Sequence, residues 1–357
     1  KLTGPVKPEV IKVAENHLIY PLNTEYEIFS VGGKQHTLGA FLLIGHKTPL
    51  DVKAPSVIPI AERVHREGGL IDLEKHSWPW SVAIVPTMKV DLFELANNHI
   101  WRTEFGFPQW TLAAGGDYMH LEKDSRGFTE WGWIDFGFQT YYALLNCGYR
   151  LQPTAVSAAG VHPVPLGFGR VYVHQKDGFS YEKWLKGLQA GQSFVSTGPM
   201  LEVKVNDHLP GHVFADFKQG TVCGVKGIVS SAAPLSQLEI LVNGKIASVV
   251  KGQSQKTSAG TYETTFESPV KIEGSSWIAV RCFEQNAGRR NRFAHTAPWH
   301  FEVAGHPLLP RQEEIDYLRL RCREEIERNR SVLGPEAMKE YEQALAAYEE
   351  IAKRLKP

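Results

Sequence analysis

Carboxylates and a histidine follow one short apolar stretch of this sequence. In GGLIDLEKHSW (68–78), Asp72, Glu74 and His76 alternate along the chain, so an extended strand would place them on one face and Lys75 on the other. Burying such carboxylates costs several kcal/mol unless a cation compensates them. A divalent metal ion or the Lys75 ammonium would supply that charge, which indicates metal-assisted or acid–base chemistry. An exposed polar loop is the alternative interpretation.

Two other segments carry side chains that bind metals in proteins. Glu25 lies in TEYEIFS, and Gly32-Gly33 separates it from His36, so a hairpin would bring this carboxylate and this imidazole together. Those donors suit Zn, Mn or Fe. His99 ends the polar group Asn-Asn-His in VDLFELANNHIWR (90–102). A surface hairpin and a helix cap are the alternatives for these two segments.

The elements that would position these side chains follow from the hydrophobic periodicity, which changes twice. Up to about residue 195, apolar runs such as TLGAFLLIG alternate with helical stretches, which is typical of β/α units. From about 196 to 304, alternating strands with a turn at Asn243-Gly244 predict an antiparallel β-sandwich. Beyond residue 305, two helical segments separated by Gly334-Pro335 predict a helical hairpin.

Several motifs carry a family resemblance. They are YEI followed by HTLGAFLLIG, then GGLIDLEKHSW, LLNCGYRLQPTA, and GFSYEKWLKGLQAGQSFVSTGPML at the junction between the two patterns. Together they resemble the CehA/McbA-type metallohydrolases of the polymerase and histidinol phosphatase (PHP) superfamily, over nearly the whole chain. The resemblance implies an α/β fold with a PHP-like distorted β/α barrel over 1–195, a β-sandwich over 196–304 and the helical hairpin over 305–357. Metals would lie at the carboxyl ends of the barrel strands.

The metal motifs of that family are degenerate in this chain. Lys75 stands where the family has a metal-binding histidine, and His76 stands where it has a proline. The closing Asp-x-His becomes Ala158, Ala159 and Gly160, with His162 nearby. The opening His-x-His has no counterpart, so we expect a barrel without its first strand.

Residues and resemblance together predict a metal-dependent hydrolase that acts on an ester, amide or phosphoester through a metal-bound water. The expected ligands of a divalent metal, Zn or Mn, are Glu25, His36, Glu74 and His99. The groups expected to handle protons are Asp72, Lys75 and His76. The alternative is a non-catalytic PHP-like binding or scaffold protein that recognises a glycan or a protein partner, through aromatic surfaces such as TEWGWIDFGFQTYY or through the β-sandwich.

Composition limits the partners and the compartment. The chain has 39 basic and 39 acidic residues, so charge gives no reason to expect nucleic acid or a membrane surface as partner. Its 4 cysteines form no CxxC pair, which argues against a zinc knuckle or a disulfide framework. No signal peptide or membrane-length apolar run is visible, but a cleaved signal would leave no trace. A periplasmic or secreted location is favoured over a cytoplasmic one.

We predict that the segment SAAGVHP (157–163) is a structural turn, because it lacks the Asp and His of the family motif. Ser157→Ala and His162→Ala should therefore leave the metal content of the purified protein unchanged. Elemental analysis of both variants checks this. Loss of metal from either one would show that the last motif still supplies ligands.

Overall fold

The protein is a mixed α/β chain in which most of the regular structure is strand. Its computed structural model describes residues 6–50, 56–101, 114–158, 164–250, 252–285 and 290–355. Within these ranges the strands form several sheets, and none of the sheets closes into a barrel. The α/β class is therefore confirmed, whereas a closed barrel is not seen in the part of the chain that is described.

The strands and helices have the following bounds. The strands up to residue 196 are β1 (Ile11–Ala14), β2 (His17–Ile19), β3 (Thr24–Val31), β4 (Lys34–Ile44), β5 (Leu70–Leu73), β6 (Leu92–Ala96), β7 (Lys123–Asp124), β8 (Gly127–Phe128), β9 (Gln152–Ala155), β10 (Arg170–Val173) and β11 (Ser193–Ser196). The later strands are β12 (Met200–Val205), β13 (Val213–Phe214), β14 (Thr221–Ser231), β15 (Leu235–Val242), β16 (Lys245–Val249), β17 (Gln255–Lys256), β18 (Tyr262–Ile272), β19 (Ser276–Glu284), β20 (Phe293–Thr296) and β21 (Trp299–Phe301). The α-helices are α1 (Ile58–Arg66), α2 (Val85–Met88), α3 (Glu130–Asn146), α4 (Tyr181–Gln189), α5 (Gln312–Asn329) and α6 (Pro335–Lys353).

A five-stranded sheet with the order β3-β4-β5-β6-β9 organises the first half of the chain. Strands β3, β4 and β5 are antiparallel, whereas β5, β6 and β9 run parallel, so the carboxyl ends of these last three meet at one edge. Side chains such as Phe41 and Phe93 pack one face of the sheet against the helices. The other face packs through Leu42 and Leu92 near α4 and β10.

Two further sheets, one of eight strands and one of four, share a hydrophobic core in the second half. Strands β15 and β16 are joined at Asn243-Gly244, where both residues have positive φ, so the predicted hairpin turn is present. Strand β11 pairs with β20, so the eight-stranded sheet extends across the boundary that we predict near residue 195. The two regions of the chain therefore share one continuous hydrogen-bonded sheet.

The last two helices pack against each other and onto the first half of the chain. Pro335 opens α6 at a position where a helix has no need of the missing N–H. The Glu340 carboxylate in α6 accepts hydrogen bonds from the backbone N–H groups of Val57 (2.8 Å) and Ile58 (2.9 Å), at the start of α1. A carboxylate at a helix N-terminus satisfies unpaired donors and complements the helix dipole. One side of these two helices is thus buried against the first half of the chain, and only the other side is solvated.

We predict that Gly39→Ala destabilises the protein strongly. Gly39 lies in β4 with φ 146°, and an added Cβ would lie 2.3 Å from Nε1 of the fully buried Trp80. Strain and overpacking should lower the free energy of unfolding by about 3 kcal/mol. Gly33→Ala is the matched control, because Gly33 also has positive φ but an added Cβ would have no neighbour within 4 Å. That variant should lose only about 1–2 kcal/mol, and equal losses in urea titrations of the two variants would contradict the packing argument.

Candidate functional site

The carboxyl ends of β5, β6 and β9 bring together an unusual number of buried polar side chains. Strand β5 ends at Leu73 and is followed by Glu74, Lys75 and His76, all of which are buried. Strand β6 ends at Ala96 and is followed by a buried Asn-Asn-His group, in which residues 98–101 form a 3₁₀ turn. This edge of a parallel sheet is where α/β proteins place their sites.

Two carboxylates lie on the sheet itself, on the face that is not covered by the main helical core. Asp72 in β5 and Glu94 in β6 are both completely buried. Oδ2 of Asp72 accepts a hydrogen bond of 2.7 Å from the Thr154 hydroxyl on β9. The other Asp72 oxygen and both Glu94 oxygens have no hydrogen-bond partner among the described residues. Unpartnered buried carboxylate oxygens are costly, so this face is the candidate functional site.

Burial also changes the protonation of these groups. Loss of solvation raises the pKa of Asp72 to about 7, although the Thr154 hydrogen bond opposes the shift. Burial raises the pKa of Glu94 well above its usual range, and the neighbouring Asp72 adds to this effect. Both carboxyl groups therefore favour the protonated form more strongly than an exposed acid does, unless a cation lies beside them.

Lys75 provides one cation at this edge. Its ammonium pairs with the Glu74 carboxylate and lies 3.9 Å from Oε1 of Glu25 on β3. Burial lowers the pKa of Lys75, while nearby carboxylates, among them Glu94, act in the opposite direction. We expected Lys75 to lie on the face opposite Asp72 and Glu74. The strand alternation ends at Leu73, and the turn that follows directs Lys75 toward the carboxylates.

His76 takes a different direction from the same turn. Its ring packs against Phe93, Trp133 and Phe136, with centroid distances of 5.7, 4.8 and 4.5 Å. Its ring nitrogens have no hydrogen-bond partner in the described part of the chain, and burial lowers the pKa of His76 to about 3. The imidazole is therefore neutral in an aromatic pocket, separated from the groups with which we expected it to act.

The other two expected histidine ligands are His36 and His99, and the structure places His36 far from Glu25. The predicted hairpin of β3 and β4 forms, but Glu25 pairs with Leu42, whereas His36 lies beside the turn. Six residues of strand, about 20 Å, separate those positions along β4. Nε2 of His36 donates a 2.6 Å hydrogen bond to Oδ1 of Asn329 at the end of α5. His99 stacks on Trp133 with a centroid distance of 5.3 Å.

The structure thus gathers part of the predicted site and disperses the rest. Glu25, Glu74, Lys75 and Asp72 lie together at the sheet edge, whereas His36 contacts Asn329 and the rings of His76 and His99 pack against Trp133. Within the described ranges, no three His, Cys, Asp or Glu side chains form a group that could hold a metal ion. Sequence reasoning missed Glu94 and Thr154; the available signal was a lone Glu inside the apolar run VDLFELA.

The family resemblance and the closing motif gain no independent support. No protein-family model matches the chain, and no curated protein matches it. Ser157 is buried and Ala158 has φ 45°, whereas Ala159, Gly160 and His162 lie outside the described residues. In the ranges that are described, none of the helices combines the length and the apolar character needed to cross a bilayer. The PHP resemblance stays a prediction.

We predict that Asp72→Asn stabilises the metal-free protein at alkaline but not at acid pH. The folded pKa of Asp72, about 7, exceeds the ordinary value of 3.8, so folding stability is highest below pH 3.8 and falls as the pH rises through 7. Asparagine cannot ionise, so the variant escapes this loss. Each pKa unit corresponds to about 1.4 kcal/mol, and we expect a gain of a few kcal/mol at pH 8.

Urea titrations in EDTA at pH 4 and pH 8 measure this difference. The exposed Asp177→Asn is the control and should show no such difference between the two pH values. An Asp72→Asn effect that is the same at both pH values would refute the role of Asp72 ionisation.

Proposed function

We propose that the protein is a metal-dependent hydrolase that acts on an ester, amide or phosphoester. The observation that carries the proposal is the pair of fully buried carboxylates, Asp72 and Glu94, with unpartnered oxygens at the sheet edge where α/β enzymes place their sites. A purely structural role offers no reason to bury these two acids without partners, because apolar residues of similar size would avoid the cost.

The charge balance supports a second cation in addition to Lys75. The ammonium of Lys75 faces carboxylates on three strands or their ends: Glu25, Glu27, Asp72, Glu74 and Glu94. Burial raises the pKa values of Asp72 and Glu94, and the single positive charge of Lys75 does not cancel these shifts. A divalent cation would reverse those shifts and favour the ionised forms.

The donor chemistry fits some metals better than others. The unpartnered donors on the sheet are carboxylate oxygens of Asp72 and Glu94, and the expected imidazole ligand His36 is hydrogen-bonded to Asn329. Oxygen donors suit hard cations, so of the two metals that the sequence favours, Mn²⁺ matches this set and Zn²⁺ does not. When bound, such a cation would polarise a carbonyl or phosphoryl oxygen and lower the pKa of a water molecule toward neutrality.

The chain's own residues have separable roles in this proposal. Asp72 and Glu94 hold the cation, and Thr154 orients Asp72 through its hydrogen bond. Lys75, whose pKa burial lowers, can release and recover a proton beside Glu25, which is half exposed at the sheet edge. His76 has no place in the chemistry, because its ring lies in the aromatic pocket.

The finer architecture belongs to the same proposal. A PHP-type barrel that is incomplete, over residues 1–195, is supported by the β3-β4-β5-β6-β9 sheet with its parallel segment. A β-sandwich over 196–304 is supported by two sheets that share one core, and a helical hairpin over 305–357 by α5 packing on α6. The periplasmic or secreted location also stays a proposal.

A non-catalytic binding or scaffold protein is the second candidate, and Lys75 favours it. In the resemblance, Lys75 occupies the position of a metal-binding histidine, and its ammonium already pairs with Glu74. A lysine that replaces a metal would retain the fold without the chemistry. The glycan or protein partner of such a descendant would then bind elsewhere on the molecule.

We predict that the wild-type chain, stripped with EDTA, binds Mn²⁺ and that Glu94→Gln weakens this binding by about tenfold or more. The same substitution should abolish hydrolysis of a panel of nitrophenyl esters and phosphodiesters. Isothermal titration with Mn²⁺ and initial rates measure the two effects. Glu62→Gln, at an exposed position on α1, is the matched control and should behave as wild type.

The scaffold candidate predicts a different pattern in the same titrations. The wild-type chain would bind no Mn²⁺, and Lys75→Gln would gain Mn²⁺ binding because the competing ammonium is removed. That result would replace the hydrolase proposal.

A further inference from the structure

A cavity of about 830 Å³ lies in the second half of the molecule, and no residue of the carboxylate cluster lines it. Its walls come from β10 and β11 in the eight-stranded sheet, from β12, β14 and β18 in the four-stranded sheet, and from Leu209 and Pro210. The volume falls in the range of about 300–1,000 Å³ that is typical of small-molecule sites.

The cavity lies beside the outer strands of the two sheets. Strands β10 and β12 are the outer strands of their sheets, since β10 pairs with β11 and β12 pairs with β14 in the described part of the chain. No further strand among the described residues continues either sheet beyond this point. The residues of β12 alternate, so Leu201 and Val203 belong to the shared core, whereas Met200, Glu202 and Lys204 lie on the opposite, outer face of the four-stranded sheet. The cavity is bounded by this outer face and by residues of β10 and β11.

The apolar part of the lining centres on an aromatic pair. Tyr172 on β10 and Phe194 on β11 are paired in register, so their side chains lie on one face, and their rings stack at 4.9 Å with an angle of 10°. Met200, which is flexible and polarisable, and Ile228, which is 42% exposed, add to this lining. A ligand with an apolar body would bury this surface.

The charged residues of the lining cancel one another. Lys204 and Lys226 are balanced by Glu202 and Glu267, and Lys226 already pairs with Asp207 at 2.6 Å. An ionic ligand would therefore gain no net attraction.

Two further polar side chains line the cavity. His174 and Gln192 are both exposed and adjacent, since the His174 backbone N–H donates to the Gln192 carbonyl. Their side chains provide hydrogen-bond donors and acceptors.

We propose that this cavity binds an uncharged, largely apolar small molecule. Its apolar body packs against Tyr172, Phe194 and Met200, and a hydroxyl, carbonyl or amine group hydrogen-bonds to His174 or Gln192. The site is separate from the carboxylate cluster and does not depend on the proposed hydrolase activity.

The test uses the full chain and the neutral fluorescent probe N-phenyl-1-naphthylamine. We expect saturable binding with a rise in probe fluorescence. The anionic analogue 8-anilinonaphthalene-1-sulfonate should bind about tenfold more weakly, because its charge must be desolvated without a partner. Met200→Arg should weaken binding of the neutral probe by about tenfold or more, for the same reason.

Val249→Arg is the matched control, because Val249 is 53% exposed on β16 and does not line the cavity. Ile228→Arg repeats the test at an exposed lining position in case Met200→Arg does not fold, as judged by circular dichroism. The proposal is overturned if the wild type shows no saturable binding, or if the lining variants bind the neutral probe as tightly as Val249→Arg. Equal affinity for the sulfonate would overturn the requirement for an uncharged ligand.

Discussion

Desolvation of carboxylates at one sheet edge is the constraint on which the first half of the molecule depends. Asp72 and Glu94 are completely buried, and the Lys75 ammonium interacts with both. Lys75 turns inward at the end of β5, and Thr154 donates from β9 to one Asp72 oxygen. These interactions offset only part of the cost, so the remaining unpartnered oxygens lower the stability of the free protein.

The fold class can be predicted from the sequence because it depends on the hydrophobic period, which is a local property of each segment. The run TLGAFLLIG predicted β4, and Asn243-Gly244 predicted the hairpin of β15 and β16, since few residue pairs accept positive φ at both positions. The pairing of β11 with β20 was not accessible. It joins residues about a hundred positions apart, and no local pattern encodes such a contact.

The candidate site can be predicted only in part from the sequence, for a related reason. Asp72 lies on the face that the alternation predicts, but strand β5 ends at Leu73, so the alternation does not hold for Lys75 and His76. The predicted hairpin of β3 and β4 does form, but its register places His36 far from Glu25. Glu94 lies inside β6 and not at its end, so its importance depends on burial within the strand. Register and burial are properties of the assembled sheet, which a single sequence does not reveal.

The hydrogen bonds from Val57 and Ile58 to Glu340 have a consequence for biosynthesis. They connect positions 283 and 282 residues apart, and Tyr348 likewise reaches back to the Val82 carbonyl, 266 residues earlier. On the ribosome, Val57, Ile58 and Val82 are synthesised first. Their partners become available only after α5 and α6 have been synthesised. At about 5–20 residues per second, that interval lasts on the order of half a minute. During it, apolar surface near Val82 and the unsatisfied start of α1 are open to chaperones, so nascent-chain protection is part of what this topology requires.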